Sequence, residues 1–474
     1  MSEQNTSYGA RLSADLAASE QARRAALEKS GRLTSRARFE ELFDEGSYTE
    51  IAALVGGDAA GDADRLLCAY GAVNGECVYA FSQEISEGDA AFTTAGAKKL
   101  AALYDLAEKR PAPIVGFFDA AGASLAEGLP MMAALSEVIA RRAEYSATAP
   151  QIALIAGPCG ASLAGFAAGF DLIFMEETNG ELFVNAPSVV KEDCKVENHS
   201  KAEIAAACGQ VALTVKGEKA LINAAKDALS FLPENDEESA PLFVIEDDVN
   251  RATVAFDSIP DANAAVEDIF DAASMFELSV GFATGVKTGL ATLAGVPCAY
   301  VACDGEDLGR DELVKIIRFV KFCDRFELPL ITLVNTAGFA TADEGAYGIA
   351  DLAARLSETY ADCDIPMITL VCGKAYGPII SLFANKAFGA DFVYATPSAS
   401  ISLLPPDSAV AFSESEKLKE MENPIAGRAA LIESYLTEKT SPVFAARAGL
   451  VDDILSPGEV RARLAFAINM LTEA

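Results

Sequence analysis

Histidine is nearly absent from this sequence, in which His199 is the single example among 474 residues. No second histidine or cysteine pair accompanies it, so we expect neither a zinc site nor any other bound metal. A Ser-His-Asp triad would have to use His199. The one candidate nucleophile turn, Gly160–Gly165, lacks a glycine two residues after its serine. We therefore expect His199 to be a solvated loop residue.

Paired cysteines and long apolar runs are also missing. The ten cysteines stand singly, with no C-x-x-C pair, as is typical of core residues in a protein of a reducing compartment. No apolar run reaches the length of a membrane span, and the first residues lack the apolar core of a signal peptide. The segment Gly281–Thr288 is not a Walker loop, because Val286 separates its last glycine from the lysine. We predict a cytoplasmic protein.

Basic residues are few compared with acidic ones. The chain has 37 Lys and Arg against 70 Asp and Glu, which gives a formal net charge of −33 at pH 7. Nucleic acids and anionic membrane surfaces attract basic patches, so neither is expected as a partner. A surface adapted to high salt is the alternative explanation of the acidic excess.

The sequence does contain a long internal repeat. The segment Pro113–Gly122 (PIVGFFDAAG) parallels Pro329–Gly338 (PLITLVNTAG), which lies 216 positions later. Pro150–Gly157 (PQIALIAG) parallels Pro366–Gly373 (PMITLVCG) at the same offset. Two segments that stay in register over about half the chain indicate a duplicated domain. Such a domain offers two equivalent pockets, one for each substrate of a two-substrate enzyme.

Strand and helix patterns alternate along both halves, which predicts an α/β fold with mainly parallel strands. The strands Ile114–Phe118 and Ile152–Ile155 are expected to precede helices over Ala123–Arg142 and Ala161–Gly169. Residues 10–30 are expected to form an exposed leading helix. The polar segment Glu234–Pro241 is the best candidate linker. We expect domains at residues 1–235 and 236–474.

Each half has two small-residue loops that follow neighbouring strands. A helix beginning after such a loop presents unpaired backbone N–H groups beside the positive end of its dipole. Two loops that converge on one oxygen can stabilise an enolate or a tetrahedral oxyanion. The alternative is that they are ordinary turns, and their repetition in both halves makes the two interpretations about equal. The loops are Asp119–Ser124, Gly157–Ser162, Asn335–Phe339 and Gly373–Ile379.

A series of short motifs in a fixed order resembles the biotin-dependent acyl-CoA carboxyltransferases. This family includes propionyl-CoA carboxylase beta subunits and the carboxyltransferase subunits of methylmalonyl-CoA decarboxylases. The resemblance covers residues 31–465, nearly the whole chain. The motifs are GRLTSRAR at 31–38, LFDEGS at 42–47, VYAFSQ at 78–83, GPC at 157–159, PSVVK at 187–191, LSFLP at 229–233, FVKFCD at 319–324, KAYG at 374–377 and AARAGLVDD at 445–453.

The resemblance implies tandem duplicated crotonase-like domains built as ββα spirals. It also implies a dimer-based homohexamer, with acyl-CoA on the N-terminal domain of one subunit and biotin on the C-terminal domain of its neighbour. The biotinyl-lysine motif is absent, so biotin would arrive on a separate carrier protein. A membrane partner, as in the decarboxylase branch, is compatible with the sequence, although nothing in it encodes one.

The family's mechanism implies backbone oxyanion holes rather than acid or base side chains. The residues that match are expected to be catalytic, and they are Gly122, Ala123, Gly160, Ala161, Ser162, Gly338, Phe339, Gly377 and Ile379. Residues of the KAYG motif and its neighbour are expected to bind biotin, and they are Ala375, Tyr376, Gly377 and Pro378. Five cations are candidates for binding the CoA phosphates, although each is more often a solvated surface residue. They are Lys98, Lys99, Arg110, Lys191 and Lys195.

The chain departs from the family's glycine pairs at these loops. Ala161-Ser162 replaces Gly-Gly in the first half, and Gly377-Pro378 replaces Gly-Gly in the second. Proline has no N–H to donate, so Pro378 weakens the expected biotin side. Two alternatives to a working carboxyltransferase therefore remain. One is a non-catalytic or attenuated paralogue that serves as a structural subunit, and the other is a biotin-independent crotonase-type acyl-CoA enzyme. Propionyl-CoA or methylmalonyl-CoA is the first substrate expected, and the direction of transfer stays open.

Overall fold

The computed structural model describes residues 20–56, 66–84, 91–187, 198–245, 247–341, 347–421 and 423–472. The chain divides into two compact units, Met1–Ser239 and Ala240–Ala474. The boundary lies inside the polar segment Glu234–Pro241. Both units contain a mixed α/β arrangement around one large sheet.

The first unit is built on an eight-stranded sheet with the order β1-β2-β3-β5-β7-β8-β10, in which β9 also pairs with β7. Strands β1 to β3 pair antiparallel, and the pairs from β3 to β10 are parallel. A separate parallel pair joins β4 to β6. The strands are β1 (Thr49–Ile51), β2 (Leu66–Val73), β3 (Glu76–Gln83), β4 (Ala91–Phe92), β5 (Ile114–Ala120), β6 (Gly122–Ala123), β7 (Gln151–Gly160), β8 (Leu172–Glu176), β9 (Glu181–Phe183) and β10 (Leu213–Val215).

The central strands of this unit are buried on both faces, as near-continuous apolar runs in parallel sheets usually are. The helices of the unit are α1 (Ser35–Leu42), α2 (Thr94–Ala107), α3 (Leu129–Tyr145), α4 (Ser162–Ala167), α5 (Ala202–Ala207) and α6 (Glu218–Ser230).

An aromatic cluster fixes α4 against the sheet. Phe166 of α4 packs edge-on against Phe118 of β5, with ring centroids 5.6 Å apart, and Phe118 packs on Phe81 of β3 at 5.4 Å. All three rings are fully buried, and burial of each contributes about 1.5–3 kcal/mol. Gly116 leaves room for this packing, because a Cβ there would lie 2.3 Å from the Phe81 ring. The N-terminus of α4 is thereby held close to the end of β7.

The second unit has an eight-stranded sheet with the order β11-β12-β13-β14-β15-β16-β18, and β17 also pairs with β15. The antiparallel pairs again come first, at β11 to β13, and parallel pairs follow. The strands are β11 (Phe276–Leu278), β12 (Val286–Leu293), β13 (Val296–Cys303), β14 (Leu330–Thr336), β15 (Met367–Tyr376), β16 (Phe392–Ala395), β17 (Ser400–Ser402) and β18 (Asp453–Ile454).

The helices of the second unit include the amphipathic α8, which begins with the N–H of Gly309 donating to the Glu312 carboxylate at 3.1 Å. Its buried residues Leu313, Ile316 and Val320 recur at helical spacing, which explains why this face packs on the sheet. The helices are α7 (Ala262–Ile269), α8 (Arg310–Arg325), α9 (Ile349–Ala361), α10 (Pro378–Leu382), α11 (Pro406–Ser413), α12 (Ser415–Glu420), α13 (Pro424–Lys439), α14 (Pro442–Arg447) and α15 (Val460–Thr472).

The duplication predicted from the repeat is confirmed strand by strand. Strands β5 and β7 reappear 216 positions later as β14 and β15, with equal lengths of seven and ten residues. The register is preserved as well: Ala120 pairs with Cys159, and Thr336 pairs with Ala375. The two central loops of one unit therefore have structural counterparts in the other.

Two expected helices differ from the structure. The helix expected from Ala123 begins at Leu129, because Gly122–Ala123 pairs with Ala91–Phe92 as a short strand instead. The helix expected over Ala161–Gly169 is shorter, since it spans Ser162–Ala167. Of the leading helix expected over residues 10–30, residues 20–28 are helical, and residues 10–19 lie outside the described part of the chain.

Candidate active site

The two loops of the first unit leave the sheet side by side at the ends of β5 and β7. The pairing between these strands shifts register at this point, because Phe118 pairs with Ile155 and Ala120 pairs with Cys159. Strand β7 carries the extra residues, and Asp119 of β5 lies opposite them. Gly160 then lies against the other loop, because a Cβ on it would be 2.2 Å from the carbonyl oxygen of Ala121. The convergence expected from neighbouring parallel strands is thus present in the first unit.

The turn into α4 has an unusual backbone conformation. Ala161 has a φ of 55° and a ψ of −130°, and its N–H donates to the carbonyl of Phe183 at 2.9 Å. Gly377, its counterpart 216 positions later, has a φ of 56° and a ψ of −126°, and its N–H donates to Ser402 at 3.0 Å. These two amides are therefore used within the fold, and Ala161 and Gly377 shape the turn that aims the next residue.

The residue after Ala161 or Gly377 is the first residue of α4 or α10. Residues at this position have no partner in their own helix, because an α-helix leaves its first N–H groups unpaired. In the first unit this residue is Ser162, which is partly exposed. In the second unit it is Pro378, which has no N–H, so the first available donor of α10 is Ile379.

The other loop of each unit supplies a second donor. Ser124 donates its N–H to Phe92 at 2.9 Å, and because successive N–H groups of a strand point to opposite sides, the Ala123 N–H faces away from β4. The second unit repeats this arrangement, since Ala340 donates to Leu308 at 3.0 Å and the N–H of Phe339 faces away. In the first unit, the N–H groups of Ala123 and Ser162 are both left as donors. In the second unit, the equivalent positions are Phe339, which has an N–H, and Pro378, which has none.

The remaining expected residues support these turns. Gly122 lies in β6 beside Ala123, and the N–H of Gly338 donates to the hydroxyl of Thr336 at 3.3 Å. Ala375 and Tyr376 are the last residues of β15 and are buried, and the Tyr376 hydroxyl donates to Ser400 at 3.0 Å.

The chain matches the carboxyl transferase domain family over residues 27–474. The chain belongs to this family. Methylmalonyl-CoA decarboxylase subunit alpha of Propionigenium modestum is 31% identical over 470 residues, with 93% of this chain and 90% of the relative covered. The propionyl-CoA carboxylase beta chain of Roseobacter denitrificans is 30% identical over 468 residues, with 93% and 91% covered.

A solved structure of the family has the same fold. The transcarboxylase 12S crystal structure, described as a hexamer with methylmalonyl-coenzyme A and methylmalonic acid bound, matches with a TM-score of 0.87 at 29% identity. The match covers 96% of this chain and 94% of that one. The expected family of biotin-dependent acyl-CoA carboxyltransferases and the expected tandem crotonase-like fold are confirmed.

Cys159, in the loop Gly157–Ser162, is not a nucleophile. Burial raises the pKa of the Cys159 thiol far above its usual range, so the thiol stays protonated. The described residues contain no group of three or more His, Cys, Asp or Glu side chains that could hold a metal. His199 is partly exposed, and its Nε2 lies 3.4 Å from the carbonyl of Asn185.

The cations expected near CoA phosphates have different surroundings. Lys99 is buried and its Nζ donates to the carbonyl of Leu66 at 2.9 Å. It is therefore neither a solvated surface lysine nor a candidate for the CoA phosphates, because its ammonium is engaged inside the fold. Lys98 is exposed on α2, and Arg110 pairs with Glu234 at 2.8 Å. Lys191 and Lys195 lie outside the described residues. In the ranges that the structure covers, no helix is long and apolar enough to cross a membrane.

A buried ionic cluster behind the first loop was not foreseen from the sequence. Arg38 is fully buried and pairs with Glu218 at 2.7 Å and with Asp119 at 3.0 Å, and Arg32 also contacts Asp119. Burial alone would lower the pKa of Arg38, but the carboxylates of Glu218 and Asp119 outweigh it and raise the pKa. The signal available was the arginine-rich motif at 31–38, whose role could not be deduced without its distant partners.

The unusual conformation of Ala161 predicts an opposite response to two exchanges. Because glycine adopts this conformation without a Cβ penalty, Ala161→Gly is expected to raise the free energy of unfolding by about 0.5–2 kcal/mol. Gly377→Ala, the reverse exchange, is expected to lower it by about 1–3 kcal/mol. Urea denaturation of both variants measures the difference. A loss of stability in Ala161→Gly would show that residue 161 is not strained.

Proposed function

We propose that this carboxyltransferase moves a carboxyl group between a carrier-borne biotin and a short-chain acyl-CoA, with propionyl-CoA and methylmalonyl-CoA as the first candidates. One observation carries the proposal. Each unit has two outward-facing loop positions, at 123 and 162 in the first unit and at 339 and 378 in the second, and the offset is 216 for both. One such pair suits each of the two carbonyl groups that carboxyl transfer must activate.

The first unit would act on the acyl-CoA thioester. When methylmalonyl-CoA loses its carboxyl group, the electrons of the broken C–C bond move onto the thioester oxygen as an enolate. The N–H groups of Ala123 and Ser162 would donate to that oxygen, and the dipole of α4 adds partial positive charge beside Ser162. The carboxyl group leaves as CO2, which biotin would take up when bound. A proton from the accepting nitrogen of biotin or from water adds to the enolate carbon to give propionyl-CoA. No acidic or basic side chain is required for the electron flow.

The second unit would hold the ureido carbonyl of biotin. The N–H groups of Phe339 and Ile379 would donate to that oxygen. Pro378, the first residue of α10, is exposed, so the N-terminus of the helix is accessible. Biotin, when bound, supplies or accepts the carboxyl group. The buried residues Ala375 and Tyr376 would position this turn rather than contact biotin through their side chains.

Assembly and partners belong to the same proposal. The transcarboxylase 12S structure is described as a hexamer with substrate bound, and we propose that this chain also forms a dimer-based hexamer. Biotin would come from a separate carrier protein. The acyl-CoA would bind the N-terminal domain at residues 1–235, and the carrier would bind the domain at residues 236–474.

An attenuated paralogue is the second candidate, and Pro378 favours it. Loss of one oxyanion donor lowers rates by about 100- to 1,000-fold in well-studied enzymes, or about 2.7–4 kcal/mol. A chain with that defect in one of its two pockets could bind acyl-CoA normally and yet transfer carboxyl groups slowly.

Decarboxylation of methylmalonyl-CoA with and without free biotin tests the proposal. Biotin-dependent loss of the carboxyl group is expected, because both pockets must act in sequence. An equal rate without biotin would contradict the biotin role and favour a crotonase-type enzyme. Acyl-CoA binding by calorimetry without turnover under either condition would favour the attenuated paralogue.

A further inference from the structure

Arg38 uses its entire hydrogen-bonding capacity inside the first unit. Its Nε donates to Glu218 at 2.7 Å, and its Nη2 donates to Glu218 at 3.1 Å and to Asp119 at 3.0 Å. Its Nη1 donates to the carbonyl of Gln83 at 2.5 Å and to the hydroxyl of Ser82 at 3.3 Å. These are all five N–H donors of a guanidinium, and the side chain is 0% exposed. One residue of α1 therefore joins the ends of β3 and β5 to the start of α6.

Asp119 connects this cluster to the site. It is the residue of β5 at which the pairing with β7 shifts register, and it begins the loop Asp119–Ser124 that carries the Ala123 N–H. Its carboxylate also lies against β7, because a Cβ on Gly157 would be 1.9 Å from Asp119 Oδ1. The position of this carboxylate thus bears on both loops, since Gly157 belongs to the strand that ends at Gly160.

The second unit has the same register shift, with a neutral side chain at the position of Asp119. Asn335 is the counterpart of Asp119 at the same offset, and a Cβ on Gly373 would be 2.2 Å from its Oδ1. Its side-chain oxygen accepts from the N–H of Lys374 at 3.0 Å, and its carbonyl accepts from Gly305 at 2.8 Å. A neutral amide is therefore compatible with this register shift. The register shift alone does not require the buried arginine and carboxylates of the first unit.

We propose that Arg38 is a positioning residue that acts through Asp119 to hold the Ala123 N–H in register with the Ser162 N–H. This inference rests on the proposed function of the first unit as the acyl-CoA side. A guanidinium is planar, so the directions of its five N–H groups are fixed relative to one another. It therefore restrains the positions of its acceptors more strongly than the single side-chain amide of Asn335 does. Two donors that must meet one oxygen need such definition, since a displacement of about 1 Å can lower the rate roughly 100-fold.

Asp119→Asn tests the proposal, because it installs in the first unit the side chain that the second unit uses. The kcat for methylmalonyl-CoA decarboxylation is expected to fall about 10- to 100-fold while KM changes less than about threefold. Hydrogen exchange of the amides in residues 119–124 is expected to become faster. That exchange is measured without turnover, so it remains informative if the proposed decarboxylation itself fails.

Asp271→Asn is the matched control. Asp271 lies in the second unit and pairs with Arg461, another fully buried arginine, at 2.6 Å, outside the four loops. If Arg38 only stabilises the fold, both variants should lose stability, and their kcat and their hydrogen-exchange rates at residues 119–124 should be alike. If Arg38 positions the loop, only Asp119→Asn should change kcat and the exchange rates at residues 119–124.

Unchanged kcat and unchanged exchange at 119–124 in Asp119→Asn would overturn the proposal, as would equal changes in the control. Should Asp119→Asn fail to fold, Arg38→Lys takes its place, because lysine keeps the charge but has three donors instead of five. Faster exchange at 119–124 is then expected, and wild-type exchange in a folded Arg38→Lys protein would contradict the role assigned to Arg38.

Discussion

The double variant Ala161→Gly/Ser162→Pro is expected to lower the rate of acyl-CoA decarboxylation by about 100- to 1,000-fold. It reproduces in the first unit the Gly377-Pro378 pair of the second. Proline removes the N–H at the first position of α4, where Ser162 has no partner in its own helix. Proline suits that position otherwise, because its fixed φ is close to the helical value. The loss should therefore be one of transition-state stabilisation and not of folding.

Two single variants separate the N–H from the other changes. Ala161→Gly alone keeps every backbone N–H. The double variant includes this exchange because alanine at a φ of 55° would clash with a following proline. Ser162→Ala keeps the N–H and removes only the hydroxyl. Both are expected to stay within about threefold of the wild-type rate.

The measurement is steady-state decarboxylation of methylmalonyl-CoA, with acyl-CoA affinity determined separately by calorimetry. The expected pattern is a reduced kcat with nearly unchanged affinity, because an oxyanion donor acts mainly in the transition state. A Ser162→Ala defect as large as that of the double variant would instead identify the hydroxyl as the important group. A double variant as active as wild type would remove α4 from the oxyanion site.

The part of the site that the sequence predicted is the part encoded by repetition. Strands β5 and β7 and their counterparts were found because apolar runs and glycines recur at one offset. Parallel strands end at the same edge of a sheet, so the convergence of the loops at Ala121 and Gly160 followed from the fold class. The family resemblance identified Pro378 as a departure, because it replaces a glycine of the family's motif, and the repeat places it opposite Ser162.

The details of the donors could not be predicted, since they depend on contacts between short segments. The pairing of Gly122–Ala123 with Ala91–Phe92 involves two residues on each side, which is too short to produce a periodic pattern. Alanine rarely adopts the conformation found at Ala161, and nothing in its identity announces it. That the Ala161 amide is used by Phe183 depends on β9, a strand of three residues.

Arg38 shows a different limit of the sequence. A buried arginine requires carboxylate partners, and its partners Asp119 and Glu218 lie 81 and 180 positions away. Hydrophobic periodicity reports only which face of a local element is buried. It carries no information on which charged groups from distant elements meet in the core. The arginine-rich motif therefore served only as a family signature until its contacts were known.

The second unit lacks one backbone N–H that the first unit has at the start of the corresponding helix, so a single exchange there is expected to raise activity. Pro378→Ala restores an N–H at the first position of α10. If the biotin side limits turnover, the biotin-dependent rate is expected to rise by up to about 100- to 1,000-fold, the usual effect of one oxyanion donor. The cost in stability should be at most about 1 kcal/mol, because proline there mainly restricts the unfolded chain.

Decarboxylation of methylmalonyl-CoA at saturating free biotin measures this gain, and calorimetry should show an unchanged acyl-CoA affinity because the first unit is untouched. Pro442→Ala is the control, since it makes the same exchange at the first position of α14, a helix outside the four loops. A gain confined to Pro378→Ala would show that this chain is an attenuated carboxyltransferase limited by one missing donor. A rate within twofold of wild type would mean that Phe339 and Ile379 suffice for the second carbonyl, and that proline at 378 is compatible with full transfer.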